Sequence, residues 1–366
     1  MFKVPFVNYS LQYKNLETEI DAAMKSVLNR GDLIMRSDVE EFEKKMSEFL
    51  GVKHFISLNS GTDALIFALK AAGIGAGDEV ITVSHTFVAS VASIVHCGAK
   101  PVLVDVKEDF TMDMEKAEAA ITSRTKAILP VHLNGRMCDM ERLAEIASKH
   151  NLIIIEDAAQ ALGARFNNKM AGTIGLAGCY SFYPAKILGT FGDGGGLATN
   201  DEKIAEKTRL FRDHGQKTKT EILCFGWTSR LDNLQAAVLN IKIKHLNKWI
   251  ERRREIAEMY NKNLLDTYGI KLPPCPDSDE KHFDVFQNYV LRAEKRDELF
   301  AFLKEKGVET LIKDPIAVHH HLGLGLSDFN LPYSEELAKK VISLPLYPEL
   351  TDEQVEYVIE RVKDFY

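Results

Sequence analysis

An α/β protein with a large, mostly parallel mixed sheet flanked by helices, followed by a smaller C-terminal α+β unit, is the architecture this sequence predicts. Three observations carry that prediction. Short apolar runs alternate with helical patterns through the first two thirds of the chain, as βαβ units do. The runs are nearly continuous rather than alternating, as when both faces of a sheet are covered. At 366 residues the chain exceeds one hydrophobic core, and a proline-rich break follows a long helical pattern. The expected division is 1–245 and 246–366.

The elements follow in order. Ser37-x-x-Glu40 reads as a capping box opening an amphipathic helix through Phe42, Met46 and Leu50, which Gly51 ends. Strands are expected at Val80 to Val83, Val102 to Val106, Ala127 to Val131 and Leu152 to Glu156. Helical patterns lie between them near Val88 to His96, Met114 to Ile121 and Met140 to His150. A long helix is expected from about Leu231 to Leu265, stopped by Pro273-Pro274-Cys275-Pro276. A strand at Asn288 to Arg292, a helix at Lys295 to Lys306 and a closing helix after Thr351-Asp352-Glu353 complete the chain.

Composition removes several function classes. Hydrophobic residues make up 45% and charged residues 27%, which rules out a disordered or low-complexity chain. The balance of 46 basic against 53 acidic residues, with no basic block, gives no footing for nucleic acid. Five scattered cysteines without a CxxC pair argue against a zinc ribbon or dithiol site and suit a reducing cytoplasm. The start lacks the apolar core of a signal peptide. No run approaches the roughly 18 to 20 apolar residues that cross a bilayer, so no membrane partner is expected. The internal run His319-His320-His321 lacks spaced carboxylate or cysteine partners, and no metal is assigned.

Three segments carry chemistry. Asn59-Ser60-Gly61-Thr62-Asp63 precedes a helical pattern; it is either an ordinary Ser/Thr cap or a helix start whose free N–H groups bind phosphate. Glu156-Asp157-Ala158-Ala159-Gln160 sits at the carboxyl end of an apolar strand. A carboxylate there either caps a helix or pairs with a cationic ring nitrogen of a ligand gathered at that end. Ser181-Phe182-Tyr183-Pro184-Ala185-Lys186, followed by Gly192-Asp193-Gly194-Gly195-Gly196, places a lysine, expected on a later strand, beside glycine-rich backbone. That lysine is a phosphate ligand or a Schiff-base amine. Neither GxxxxGK[ST] nor GxGxxG at the head of a βαβ unit is present, so a Walker loop is excluded and a nicotinamide dehydrogenase loses its support. Together, a phosphate-binding helix start, a strand-end carboxylate and a later lysine are the parts of a pyridoxal 5'-phosphate site. The lysine amine joins the cofactor and moves the substrate proton. The aspartate keeps the pyridine nitrogen protonated, so that the ring draws electrons.

At this point the chain resembles the DegT/DnrJ/EryC1/StrS family of sugar aminotransferases, within the aspartate-aminotransferase-like fold type I. The likeness begins with Val4-Pro5-Phe6 and Gln12-Tyr13. It continues through NSGTDAL (from Asn59), SHTFVAS (from Ser84), PVLVDV (from Pro101), EDAAQALGA (from Glu156) and SFYPAK (from Ser181). It closes with SRLDNLQAAVL (from Ser229) and SLPLYPELTDEQ (from Ser343). The order and spacing of these segments over the whole chain carry the specificity.

The resemblance implies Lys186 as the Schiff-base lysine, Asp157 on the pyridine nitrogen and Gln160 near the ring hydroxyl. It implies Phe87 on the ring face and Gly61, Thr62 and Ser181 on the phosphate. It further implies a homodimer with active sites at the interface, into which the GWTSRLD segment (from Gly226) reaches the neighbour's cofactor. Three departures bear on this. Thr228 stands where the family often has Asn, with a shorter reach toward the neighbour's phosphate. HLNGR (from His132) replaces HLYGQ, making Arg136 either an anion ligand on the substrate side or a surface charge. Met35-Arg36-Ser37 replaces a Gly-Pro segment in a loop that bears on substrate. Some relatives carry histidine for the lysine and act as dehydratases; Lys186 argues against that here. Gly192-Asp193-Gly194-Gly195 resembles members that aminate sugar C-3 rather than C-4. The implied activity is transfer of an amino group from glutamate to a nucleotide-linked keto-sugar. A non-nucleotide keto-sugar or keto acid as acceptor, a dehydratase, or a regulator on the same fold are the alternatives. His319 to His321 and Arg230 are further candidates for the sugar-nucleotide side.

Overall fold

The computed structural model describes residues 2–366. Its main sheet has seven strands: β1 (His54–Leu58), β2 (Glu79–Val83), β3 (Lys100–Val104), β4 (Thr125–Ile128), β5 (Ile153–Asp157), β6 (Ala177–Ser181) and β7 (Gly195–Thr199), in the order β1-β7-β6-β5-β4-β2-β3. From β6 through β3 the neighbours are parallel. β7 runs antiparallel to both β6 and β1. The carboxyl ends of β1, β2, β4, β5 and β6 therefore share one edge of the sheet with the amino end of β7. The four strands expected from sequence are present within a few residues of their predicted bounds, because fully buried runs such as Glu79–Val83 have no stable alternative to lying between two helix layers.

Helices cover the sheet: α1 (Tyr9–Arg30), α2 (Ser37–Leu50), α3 (Gly61–Ala71), α4 (Ala89–His96), α5 (Met114–Ala119), α6 (Met140–His150) and α7 (Glu202–Arg212). In α2 one face, Val39, Phe42, Met46 and Leu50, is buried, and Gly51 ends the helix at φ +68°, its N–H donating to the Ser47 carbonyl. The start of α2 corrects the sequence reading. Ser37 is already helical and the preceding Arg36 makes no side-chain cap. Rather than to Ser37, the Val39 N–H, shared with Arg36 O (3.0 Å), donates to the Asn233 side chain (3.1 Å), whose amide in turn donates to Asp32 O and Asp38 Oδ2. A buried asparagine 194 residues away supplies the acceptor expected of a local box.

The long helix expected between Leu231 and Leu265 is two helices, α8 (Asn233–Lys242) and α9 (Leu246–Leu264), joined by a 3-10 turn at Ile243–His245. Each half has a separate burial partner. α8 packs on α1 and α2, whereas α9 turns away to pack on the C-terminal helix, residues Asp352–Phe365. Lys242 marks the break: it is buried, and its ammonium donates to Gly189 O and Gln12 Oε1.

A second hydrophobic cluster, with Ile256, Tyr260, Tyr289, Leu291, Leu299 and Val358 at its centre, lies between α9, α10 (Arg296–Glu305), α12 (Asp352–Phe365) and a three-stranded antiparallel sheet. That sheet is formed by β8 (Ile270–Lys271), β9 (Tyr289–Ala293) and β10 (Val341–Leu344). α11 (Pro332–Lys340) leads into β10. α12 opens with a reciprocal capping box between Thr351 and Gln354. Among the described residues no helix is long and apolar enough to cross a membrane.

Candidate active site

The shared sheet edge opens into a cavity of about 550 Å³, bounded also by the N-terminal residues Phe6 and Val7. Its size is that of a cofactor or small-ligand site, and its place is where ligands collect in open α/β sheets. The strand ends deliver Gly61 and Thr62, Thr86 and Phe87, His132, Asp157 and Gln160, and Ser181 to its wall. Lys186 and Asp193 enter from the connection between β6 and β7. Lys186 thus stands on a turn after β6, not on a strand as expected. Its backbone N–H closes the turn on Tyr183 O (2.8 Å).

One residue from the second half of the chain, Gln287, holds this turn. The Ile187 N–H donates to Gln287 Oε1 (2.9 Å), and Gln287 Nε2 donates to Ala185 O (2.8 Å). One buried amide side chain so brackets Lys186 on both sides. Burial, with the positive charge of Lys313 adding to it, pushes the Lys186 ammonium down to about 7, against the opposing pull of Asp157 and Asp314. Near neutral pH its amine carries a free electron pair in a substantial fraction of molecules, as a nucleophile and proton carrier requires.

Alternation along β5 separates two carboxylates. Glu156 turns into the scaffold and accepts from His132 Nε2 and from the N–H groups of Gly172, Ile174 and Gly175. Asp157 turns into the cavity, where Oδ2 accepts from the Ser90 hydroxyl (2.7 Å) and Oδ1 from the Ala159 N–H (3.2 Å). Gln160 is held by its own carbonyl, which accepts from the Asn134 N–H and the Asn288 side chain.

At the start of α3 the cap is present and free donors remain beside it. Ser60 is an ordinary cap, accepting from the Asp63 N–H (3.1 Å). The N–H groups of Gly61 and Thr62 find no acceptor among the described residues. They are orphan donors at the positive end of a helix dipole, facing the cavity. Glycine is needed here because the helix start presses on β6: a Cβ on Gly61 would lie 2.9 Å from the Ser181 Cβ. Gly195 has the same cause, since its Cβ would meet the Ser60 carbonyl carbon at 2.2 Å. Part of the glycine run therefore serves close approach of backbone to backbone.

The remaining candidates are dispersed. Phe87 stands at the cavity mouth, 56% exposed. Thr228 does not line the cavity of its own chain; its hydroxyl pairs with His214 Nε2 (2.9 Å). Arg230 pairs with Asp213. Arg136 is neither an anion ligand of this cavity nor a surface charge. It clamps Asp109, Asp279 and Asp284 at 3.1, 3.3 and 2.7 Å, with 12% of its side chain exposed. His319 binds the Ser84 hydroxyl and faces Glu335, which His320 also approaches, so the histidine run ties the C-terminal loop to the end of β2. Gln287, Asn288 and Lys313, all of the cavity wall, escaped the sequence reading; a single Gln-Asn or Lys-Asp pair carries no pattern.

This donor set fits pyridoxal phosphate. Free amides at a tight helix start suit a dianionic phosphate, a hydrogen-bonded carboxylate suits a ring N–H, and an amine of lowered pKa suits a carbonyl carbon.

The model of the DegT/DnrJ/EryC1/StrS aminotransferase family matches residues 14–363. The chain is 45% identical to the pleiotropic regulatory protein of Geobacillus stearothermophilus over 367 residues, 99% of this chain and 98% of that one. It is 41% identical to the dTDP-3-amino-3,4,6-trideoxy-alpha-D-glucose transaminase of Streptomyces venezuelae over 368 residues, 99% of this chain and 96% of that one. The crystal structure of DesV from S. venezuelae in complex with a ketimine intermediate superposes with a TM-score of 0.96 at 40% identity, covering 100% of this chain and 99% of that chain.

Proposed function

The chain belongs to the DegT/DnrJ/EryC1/StrS aminotransferase family, and from that premise we propose that it transfers an amino group from glutamate to C-3 of a nucleotide-linked 3-keto-sugar. It is a pyridoxal-phosphate-dependent transaminase of fold type I. The observation that carries the reading is the convergence of Lys186, Asp157 and the free amides of Gly61 and Thr62 on one cavity.

When bound, the cofactor supplies a carbonyl that takes up the amino group and a ring that withdraws electrons. The chain's own residues do the rest. Gly61 and Thr62 N–H groups and the Ser181 hydroxyl would hold the phosphate. The Asp157 carboxylate, fixed by Ser90, would accept from the ring N–H and keep that proton in place. Gln160, pinned by Asn134 and Asn288, would bind the ring hydroxyl, and Phe87 at the cavity mouth would pack on the ring. Lys186, whose side chain lines the cavity, would accept at Nζ the proton that the substrate carbon gives up and hold it for return, so its position matters more than its mean charge. The presence of lysine, rather than the histidine of dehydratase relatives, favours amino transfer. The Geobacillus relative's name raises a regulatory role, and the complete set of donors in the cavity favours catalysis over it.

The acting unit in this proposal is a homodimer with cavities at the interface. Ile222, Leu223, Phe225 and Trp227 are exposed, Phe225 at 99%, on the segment leading into Thr228 and Arg230. Apolar surface so concentrated is the mark of a protein contact. Cytoplasmic work suits five free cysteines, three of them buried.

The test is the visible spectrum of the cofactor-loaded protein. Glutamate should move its band to shorter wavelength and release 2-oxoglutarate. The aminated form should then lose its amino group to 3-keto but not 4-keto nucleotide sugars. A cofactor-supplemented protein with no visible band would remove the reading built on Lys186.

A further inference from the structure

An amino-acid donor brings carboxylates to a cavity that must also accept a sugar. Apart from His132, which is committed to Glu156, the wall carries three cationic side chains: Lys186, Arg253 and Lys313. Lys186 serves the reaction. Arg253 is turned to the scaffold: Nη1 donates to the carbonyls of Phe286, Gln287 and Leu346, and its Nε is buried away from the cavity's open space without a hydrogen-bond partner among the described residues. Lys313 has no hydrogen bond and no ion pair among the described residues. Its neighbours Asp314 and Asp157 act on it only through space. Burial lowers the Lys313 pKa against the pull of Asp314 and Asp157, so its charged form in this cavity calls for an anion beside it.

The segment that carries Lys313 is held at both ends. Leu311 exchanges two backbone hydrogen bonds with Ser343 of β10 (3.2 and 2.8 Å). His319 is tied to Ser84 at the end of β2 (2.7 Å). Between them Asp314 takes φ +53°, the left-handed region that a non-glycine residue enters at a cost. The ammonium lies within electrostatic reach of the reacting centre, since Lys313 is the second cause of the lowered Lys186 pKa after burial. It reaches His85 as well, which burial and then Lys313 push down to about 4. The α-carboxylate of an amino acid is one bond from the carbon that gives up its proton, so its receptor must stand beside Lys186. The phosphate end of the cavity has its own donors at Gly61 and Thr62.

We propose that Lys313 is the receptor for a substrate carboxylate in this cavity, a specificity site set beside Lys186. The carboxylate comes from the amino-acid donor or from a uronic acid acceptor. Assigning it to a substrate rests on the aminotransferase reading, whereas anion binding by the cavity does not.

Glutarate, a dicarboxylate that cannot react, is titrated calorimetrically into the cofactor-loaded wild type, K313Q, K313M and K313R. The two neutral variants guard against a folding defect in either, checked by circular dichroism. Loss of one charged hydrogen bond should weaken glutarate binding by about ten- to hundredfold in both neutral variants, with K313R restoring most of it. The two half reactions are then followed separately. A raised KM for glutamate with a smaller change in kcat, and an unaltered neutral keto-sugar half reaction, assigns the carboxylate to the donor. An unaltered glutamate half reaction with lost preference for a keto-uronate over its neutral counterpart assigns it to the acceptor. Affinities for glutarate, glutamate and keto-uronate all within twofold of wild type would overturn the proposal. Wild-type protein that binds glutarate but never releases 2-oxoglutarate from glutamate would sink the aminotransferase reading and leave the anion site standing.

Discussion

Gln287→Met isolates the bracket around Lys186. Methionine keeps the length of the side chain and deletes both polar ends. Two groups lose their partners: the Ile187 N–H, 2.9 Å from Oε1, and the Ala185 carbonyl, 2.8 Å from Nε2. Ile187 is buried, so its N–H is left without water, while Ala185 is only half-buried. An unsatisfied buried group costs about 1–3 kcal/mol, and the half-buried one recovers part of that from solvent, so the expected loss is about 2–4 kcal/mol. Urea denaturation should show it as a lower midpoint at an unchanged slope. The turn that positions Lys186 loosens as well. A misplacement of about 1 Å costs roughly a hundredfold in rate, so kcat should fall by about ten- to a hundredfold beyond any change in cofactor affinity. A variant whose stability in urea stays within about 0.5 kcal/mol of wild type, the scatter of neutral surface changes, and whose kcat is unchanged would refute the claim that this amide holds the lysine.

Other outcomes follow from the same geometry. Lys186→Ala should abolish amino transfer while circular dichroism stays that of the wild type, since the side chain faces a cavity and not the core. The rate of cofactor capture should rise between pH 6 and 8 and then level, because a lysine lowered to about 7 sheds its proton in that window; a rate still climbing toward pH 10 would point to an ordinary exposed lysine. Arg136→Met should destabilise the protein by about 3–5 kcal/mol in thermal or urea unfolding, since it strands the Asp284 carboxylate, whose side chain is 9% exposed. A loss below about 1 kcal/mol would mean that the three carboxylates find other partners.

What was legible in the chain was local. Apolar runs of strand length and the helical patterns between them located the first two thirds of the fold, since a buried strand and an amphipathic helix are each specified by a few consecutive residues. Errors arose where a distant group intervened. Ser37 looked like a cap because the matching Glu40 follows it, yet Asn233 meets the Val39 N–H from another helix. The pattern from Leu231 to Leu265 is continuous in sequence, but its halves pack on different neighbours and a turn separates them. Arg136 offered two local interpretations, and three aspartates brought in from two other segments made it an ion-pair hub.

By itself the sequence marked residues that the structure brings to one cavity: Gly61 and Thr62 at a helix start, Asp157 at a strand end and Lys186, though it set that lysine on a later strand and not on the turn after it. Each is marked by its neighbours, and parallel strands carry such ends to one edge. The tertiary structure alone decided which other side chains meet them there. Gln287 lies 100 residues from the amide that it accepts, and Lys313 stands in the Lys186 cavity without a motif around it. Contacts of that kind arise from the packing of two halves of the chain, and no periodicity within either half encodes them.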